Sequence, residues 1–131
     1  MSKLQLYLTS FLLVASFIVN SATKDQIDDL MLQAFKLMVK KDFKTSHNSY
    51  LKLLAHEESM SLSQRTEIYY SLLELSYILD SEDEARKYGI KLISLIKDEA
   101  DYDKIYERLK YRICSSQDWA KFQSLFSEYC V

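Results

Sequence analysis

Apolar residues recur at steps of three and four along most of the chain, separated by charged and hydroxyl-bearing positions. This period places apolar side chains on one face of an α-helix and predicts a series of amphipathic helices. Helix starts are indicated where a hydroxyl residue is followed three positions later by Gln or Glu, as in "TKDQ" at 23–26, "SLSQ" at 61–64 and "SEDE" at 81–84. Asp101 and "SSQD" before Trp119 mark two more starts. The pattern predicts six helices of about 12–18 residues, packed as antiparallel neighbours through short links.

The composition favours helices over strands. The 131 residues include one glycine and no proline, whereas tight turns between strands depend on these residues for their backbone angles. The length fits one domain. We therefore predict an all-α domain over residues 23–131, preceded by a separate segment at 1–22.

The segment 1–22 has the order of a secretory signal. Lys3 precedes an apolar run from Leu6 to Val19, and small residues close the segment. The run is shorter than the roughly 20 residues that a membrane-spanning helix needs. We expect the chain to be exported, to the periplasm or the extracellular space. Two alternatives are that residues 4–19 anchor it in the inner membrane, or that the segment is a buried first helix.

A pair of helices recurs along the chain. When Ser46, Ala85 and Phe122 are aligned, mostly apolar residues coincide at fixed positions before and after them, and the offsets are 39 and 37 residues. A period in this range indicates stacked helical units, each of which buries its apolar face against its neighbours. The alternative is an irregular helical bundle.

The stretch "KKDFKTSHNSYLKLL" at 40–54 resembles the tetratricopeptide repeat, whose paired antiparallel helices stack into a solenoid. A small residue early in the second helix, at Ser46 and Ala85, and an aromatic residue such as Tyr50 four positions later match that pattern. The resemblance extends over nearly all of residues 24–130. It implies a short TPR-like α-solenoid of about three hairpins.

The resemblance also implies that the first helix of each pair lines a concave groove. Tyrosine there offers an apolar body and a polar tip, and glutamate would complement a partner segment with Lys or Arg between apolar residues. The predicted groove residues are Asp28, Glu67, Tyr70, Glu74, Tyr77, Lys104, Glu107 and Tyr111. The family pattern also places Met31, Phe35, Met38 and Cys114 there, with burial in the core as the alternative for the first three.

The sequence contains no pattern typical of catalysis. His47 and His56 lie nine positions apart and match no zinc spacing with Cys114 and Cys130. A single glycine leaves no phosphate-binding loop. The 17 basic and 19 acidic residues give a formal charge of −2, without the basic surplus that nucleic acids require. We expect a non-enzymatic protein with no cofactor, no metal and no nucleic-acid partner.

The two cysteines of an exported chain suggest a disulfide. A straight helix after Cys114 would nevertheless carry Cys130 roughly 18 Å away, beyond the Cα separation of about 7 Å that a disulfide tolerates. Two free thiols are therefore slightly favoured. A bridge would require the tail to fold back or a second chain to supply the thiol.

The favoured interpretation is an exported helical-repeat scaffold that binds a protein or peptide in the cell envelope. The alternative is a small secreted helical effector or ligand that acts on another cell. A homodimer is a further option, because Trp119, Phe122 and Phe126 would form an exposed apolar end for a second copy to cover.

Overall fold

The computed structural model describes residues 22–115 and 117–130, and the side chains within them except at 118, 119, 121, 122 and 125. The α-helices are α1 (Lys24–Val39), α2 (Phe43–Leu53), α3 (Leu62–Ile78), α4 (Glu82–Ile96) and α5 (Asp103–Ser115). Three 3-10 segments follow α2, precede α5 and close the chain, at Leu54–Ser59, Ala100–Tyr102 and Gln117–Tyr129. No strand occurs in this part of the chain, so the all-α prediction is confirmed. None of these helices is long and apolar enough to cross a bilayer.

Two of the three predicted capping boxes are present. The Thr23 backbone N–H donates to Gln26 Oε1 at 2.9 Å, and the Gln26 N–H donates back to Thr23 Oγ1 at 3.2 Å. Ser61 and Gln64 form the same reciprocal pair at the start of α3. At the third site the helix start is confirmed, since α4 begins at Glu82, but the capping box is not, because the Ser81 side chain forms no capping hydrogen bond. The first turn of α4 instead carries three acidic residues at its positive dipole end.

The chain leaves α1 and α3 by the same turn, without glycine. Lys41 and Asp80 take left-handed backbone angles, with φ of 64° and 59°. The Lys41 N–H donates to the Met38 carbonyl and the next N–H to the Leu37 carbonyl, both at 3.0 Å. Asp80 and its successor repeat these two bonds one unit later. This is the Schellman termination of a helix, and its two occurrences are 39 residues apart.

The most extensive contacts join consecutive elements in pairs, namely α1 with α2, α3 with α4, and α5 with Gln117–Tyr129. Within the first pair, the buried hydroxyl of Ser46 donates to the Ala34 carbonyl at 2.8 Å. The small side chain therefore lets α1 and α2 approach closely. Further contacts of α2 with α3, and of α4 with α5 and the last segment, join the pairs around one core.

The predicted sixth α-helix is instead the 3-10 segment Gln117–Tyr129, and it is broken at Phe126, where φ is −120°. Phe126 is fully buried. The expectation that Phe126 belongs to an exposed apolar end is therefore wrong, while the side chains of Trp119 and Phe122 lie outside the described residues.

Cys114 and Cys130 form a disulfide, with their Cα atoms 5.4 Å apart. The slight preference for free thiols is wrong, because it assumed a straight last helix. Gln117–Tyr129 is instead a 3-10 segment interrupted at Phe126, and Cys130 lies beside the end of α5.

Candidate functional site

A groove with a cavity volume of about 470 Å³ opens between α1, α3 and α5, the first helices of the three pairs. The middle wall is α3, whose Glu67, Tyr70 and Glu74 follow one another at steps of three and four. This spacing aligns side chains along one face of a helix. The opposite face of α3 carries Ile68 and Leu72, which are fully buried. The core thereby fixes which side of α3 faces the groove.

The two outer walls of the groove are lined largely by apolar side chains. Phe35 and Met38 of α1 lie on one side, and Ile105 and Leu109 of α5 lie on the other. Phe35 keeps 49% of its surface exposed and Ile105 39%. Exposed apolar side chains that face each other across an open groove form a surface that another molecule can cover.

A cluster of three polar side chains joins α3 to α5 at the groove. Arg112 Nη1 donates to Glu74 Oε1 at 2.6 Å and to the Tyr70 hydroxyl at 2.5 Å. The guanidinium carbon also lies 5.9 Å from the centre of the Tyr70 ring, within the range of a cation–π contact. Since Arg112 is bound to both residues, it fixes the orientation of the Tyr70 ring beside the groove.

The protonation states of this cluster follow from burial and charge. Burial raises the pKa of Tyr70, and the neighbouring Glu74 carboxylate raises it further. Burial alone would lower the pKa of Arg112, but Tyr70 and Glu74 raise it above its ordinary value. Near neutral pH the cluster thus consists of a neutral phenol and a charged guanidinium, with Glu74 as the counter-ion of Arg112.

Two charged residues of the groove have no such counter-ion. Glu67 on α3 and Arg108 on α5 are both exposed, and neither forms an ion pair with any residue that the structure describes. Arg108 also lines a shallower cleft that adjoins the groove, together with Tyr70, Tyr111 and Arg112. Within the described part of the chain, the groove therefore presents one unpaired anion and one unpaired cation, on different helices.

The structure brings some of the predicted groove residues together. Glu67, Tyr70 and Glu74 line the groove itself. Glu107 and Tyr111 lie in the adjoining cleft, where Tyr111 is 70% exposed. Their role in binding remains a prediction.

The other three predicted residues lie elsewhere. Asp28 Oδ1 accepts a hydrogen bond of 3.0 Å from Gln64 Nε2 and so joins α1 to the start of α3. Tyr77 is half-buried against the core. Lys104 is exposed and lines neither the groove nor the cleft.

On α5 the residues that face α3 are displaced by one position from the prediction. The family pattern indicated Lys104, Glu107 and Tyr111, whereas Ile105, Arg108 and Arg112 face the groove or its cluster. One residue corresponds to about 100° of rotation around a helix. The buried stripe of Leu109 and Ile113 gives the reason, because it sets the inward face of α5. The stripe of Leu109 and Ile113 is visible in the sequence. Arg108 and Arg112 could have been identified from it, because they lie beside it on the helix surface.

The family pattern left open whether Met31, Phe35 and Met38 lie in the groove or in the core, and they differ in this respect. Met31 is 5% exposed and belongs to the core. Phe35 and Met38 line the groove, and Met38 also packs against the core. Cys114 is held in the disulfide.

The described residues contain no group of three or more His, Cys, Asp or Glu side chains that could hold a metal ion. His47 lies between the first and second pairs, with Nε2 2.9 Å from Glu84 Oε2. Neither His47 nor His56 lines the groove between α1, α3 and α5.

Comparison with protein-family models, with curated proteins and with solved structures gave no match to this chain.

Proposed function

We propose that this chain is an exported, non-enzymatic helical-repeat scaffold that binds a segment of a protein or peptide in the groove. The observation that carries the proposal is the exposed apolar surface on both sides of the groove, at Phe35 and Ile105. Tyr70 and Arg112 lie beside that surface, and Tyr and Arg are among the residues that contribute most to binding energy in protein interfaces.

A TPR-like arrangement is part of the proposal. It is supported by the identical terminations of α1 and α3, 39 residues apart, and by the pairwise packing of consecutive elements. It is also supported by the groove, to which the first helix of each pair contributes side chains.

Export into the cell envelope is supported by two features. The Cys114–Cys130 disulfide is typical of chains that fold in an oxidising compartment. The segment 1–22 has the pattern of a secretory signal, whether it is removed or retained as an anchor over residues 4–19.

The absence of enzymatic activity is proposed from the chemistry of the groove. Its described polar groups are hydroxyls, carboxylates and guanidinium groups, and the Glu74 carboxylate is already bound to Arg112. Acid–base catalysis depends on a group whose pKa is matched to the reaction and which lies within reach of a nucleophile or substrate. The polar groups of the groove are therefore better suited to binding a partner than to catalysing a reaction.

The second candidate is a secreted helical effector that acts on another cell. The disulfide favours it, because small secreted domains commonly rely on such cross-links. In that case the protein would accumulate in the medium, whereas the scaffold would stay in the envelope. Fractionation of the native host distinguishes the two.

The groove is tested by crosslinked capture from the native host with two matched variants. Phe35→Ser removes an aromatic ring from the groove, and Leu32→Ser removes an apolar side chain from the same helix outside it. Their exposed fractions are 49% and 51%, so the two changes have similar consequences for folding.

One envelope protein recovered with wild type and with Leu32→Ser, and lost with Phe35→Ser, is the expected result. Equal recovery with both variants would show that binding occurs elsewhere on the molecule. Sedimentation of the same samples would detect a second copy of the chain as the partner.

A further inference from the structure

The two unpaired charges of the groove indicate what kind of segment it accepts, and this inference rests on the proposed function. Glu67 and Arg108 come from α3 and α5, and both are exposed without an ion-pair partner among the described residues. The other charged pair, Glu74 and Arg112, is internally neutralised at 2.6 Å. The groove is therefore not uniformly acidic, and a partner with basic residues alone would leave Arg108 uncompensated.

Arg108 lies where a carboxylate could reach it. Its side chain lines both the groove and the adjoining cleft, so it is accessible from either. Guanidinium groups bind carboxylates through two parallel hydrogen bonds, which gives both strength and orientation. The neighbouring Arg112 is bound to Glu74 and Tyr70 and adds little free positive charge.

Glu67, on the α3 wall of the groove, would favour a positively charged group of the partner. It is exposed, and the other residues of α3 that line the groove include the hydroxyl-bearing Ser63, Thr66 and Ser71. A Lys or Arg side chain of the bound segment would be its complement. A cavity of about 470 Å³ is within the range that holds a ligand-sized group, so a short segment rather than a folded domain would enter.

We propose that the occupant is a short peptide segment of mixed charge. Its carboxylate pairs with Arg108, its basic side chain pairs with Glu67, and its apolar side chains lie against Phe35 of α1 and Leu109 of α5. The carboxylate is either an acidic side chain or the C-terminus of the segment. Because the two walls carry opposite charge, the segment binds in one direction only.

The experiment is a selection from random ten-residue peptides by the full chain, produced in an exporting host. One library has amidated C-termini and the other has free carboxylates. Wild type should enrich peptides that combine an acidic group, a basic group and apolar residues. Enrichment from both libraries assigns the carboxylate to a side chain, and enrichment from the free-carboxylate library alone assigns it to the C-terminus.

Charge reversal then tests the assignment. Arg108→Glu should weaken the selected peptides by at least about tenfold and should favour peptides with a basic group in place of the acidic one. Lys44→Glu is the matched control, because it makes a change from a basic to an acidic side chain at an exposed position of α2, a helix with no residue in the groove lining. It should leave both affinity and preference nearly unchanged.

Two outcomes would overturn the inference in different ways. Peptides that require Phe35 but show no charge preference, or the same preference with Arg108→Glu, would contradict mixed-charge recognition and leave the groove intact. No peptide whose binding depends on Phe35 would contradict the proposed function as well.

Discussion

The ring of Phe126 occupies the space that a side chain at Gly89 would need. A Cβ atom at that position would overlap the Phe126 ring edge and would lie 3.4 Å from Leu73 Cδ1. The one glycine of the chain therefore allows the last segment to pack closely on α4. The side chain of Phe126 is fully buried in this contact. A residue that usually weakens a helix is in this case required by packing.

Gly89→Ala should lower the free energy of unfolding. Alanine would favour the helix by up to about 1 kcal/mol, but overpacking a rigid aromatic ring typically costs about 1–3 kcal/mol. We expect a net loss of about 1 kcal/mol in urea titrations. In a Phe126→Leu background the same change should be neutral or stabilising, because the ring edge is gone. An increase in stability in the wild-type background would contradict the close packing.

Removal of the disulfide should destabilise the chain. The bridge closes a loop with a sequence separation of 16 residues, and cross-links of this span contribute about 3 kcal/mol. Cys130→Ser should therefore lower the free energy of unfolding by about 2–4 kcal/mol. Reduction of the wild type should have a similar effect, whereas the double variant with Ser at both positions should not respond to reductant. Two free thiols in the native protein, detected by alkylation and mass spectrometry, would contradict the bridge.

The stability should decline in alkaline solution because of buried tyrosines. Burial raises the pKa values of Tyr50, Tyr69, Tyr70 and Tyr88. A phenol with a raised pKa holds its proton more tightly in the folded chain than in the unfolded chain, where its pKa is about 10. Its contribution to stability is thus intact below pH 10 and is lost as the pH rises through the folded-state value.

Thermal melts from about pH 8 to about pH 11.5 would measure this decline. Tyr69→Phe removes one of the four phenols, whose hydroxyl donates to Glu57 Oε1 at 2.8 Å. This variant should show a shallower loss of stability above pH 10. Tyrosine absorbance that titrates entirely near pH 10 in the folded protein would argue against the burial of these groups.

The Arg112–Glu74 contact should contribute modestly to stability. The two side chains are 40% and 26% exposed, so solvent limits their coupling to about 1 kcal/mol or less. A double-mutant cycle with Arg112→Met and Glu74→Gln measures this coupling directly. The Arg86–Glu128 pair, 3.3 Å apart and more exposed, is the matched comparison and should couple less. Equal coupling in the two cycles would mean that Arg112 is not held in the cluster.

The apolar period was sufficient to predict the five α-helices that the structure describes, but side-chain packing decided which residues face the groove. On α3 the predicted Glu67, Tyr70 and Glu74 all lie on the groove face, because the opposite face of this helix is buried in the core. On α5 the family pattern missed by one residue, because Leu109 and Ile113 determine the rotation of the helix. Arg108 and Arg112 flank that stripe, so the apolar spacing of α5 contained the information that places them, although the family pattern did not.

The C-terminal region could be predicted least well. Its apolar spacing is typical of an α-helix, yet Gln117–Tyr129 is a 3-10 segment with a break at Phe126. The same segment contacts Gly89, far away in sequence, through Phe126 and is joined to α5 by the bridge from Cys130 to Cys114. Neither contact follows from the local periodicity, so the distance estimated between the cysteines was wrong as well.

The most direct test of the groove as a binding site is site-specific photo-crosslinking in the native host. A photoreactive phenylalanine derivative would replace Ile105, which lines the groove, or Leu30, which lines a separate cleft on α1. The two side chains are 39% and 41% exposed, so both reach solvent to a similar extent. We predict a discrete crosslinked product from position 105 and none from position 30. The same product from both positions, or a product from position 30 alone, would contradict the account.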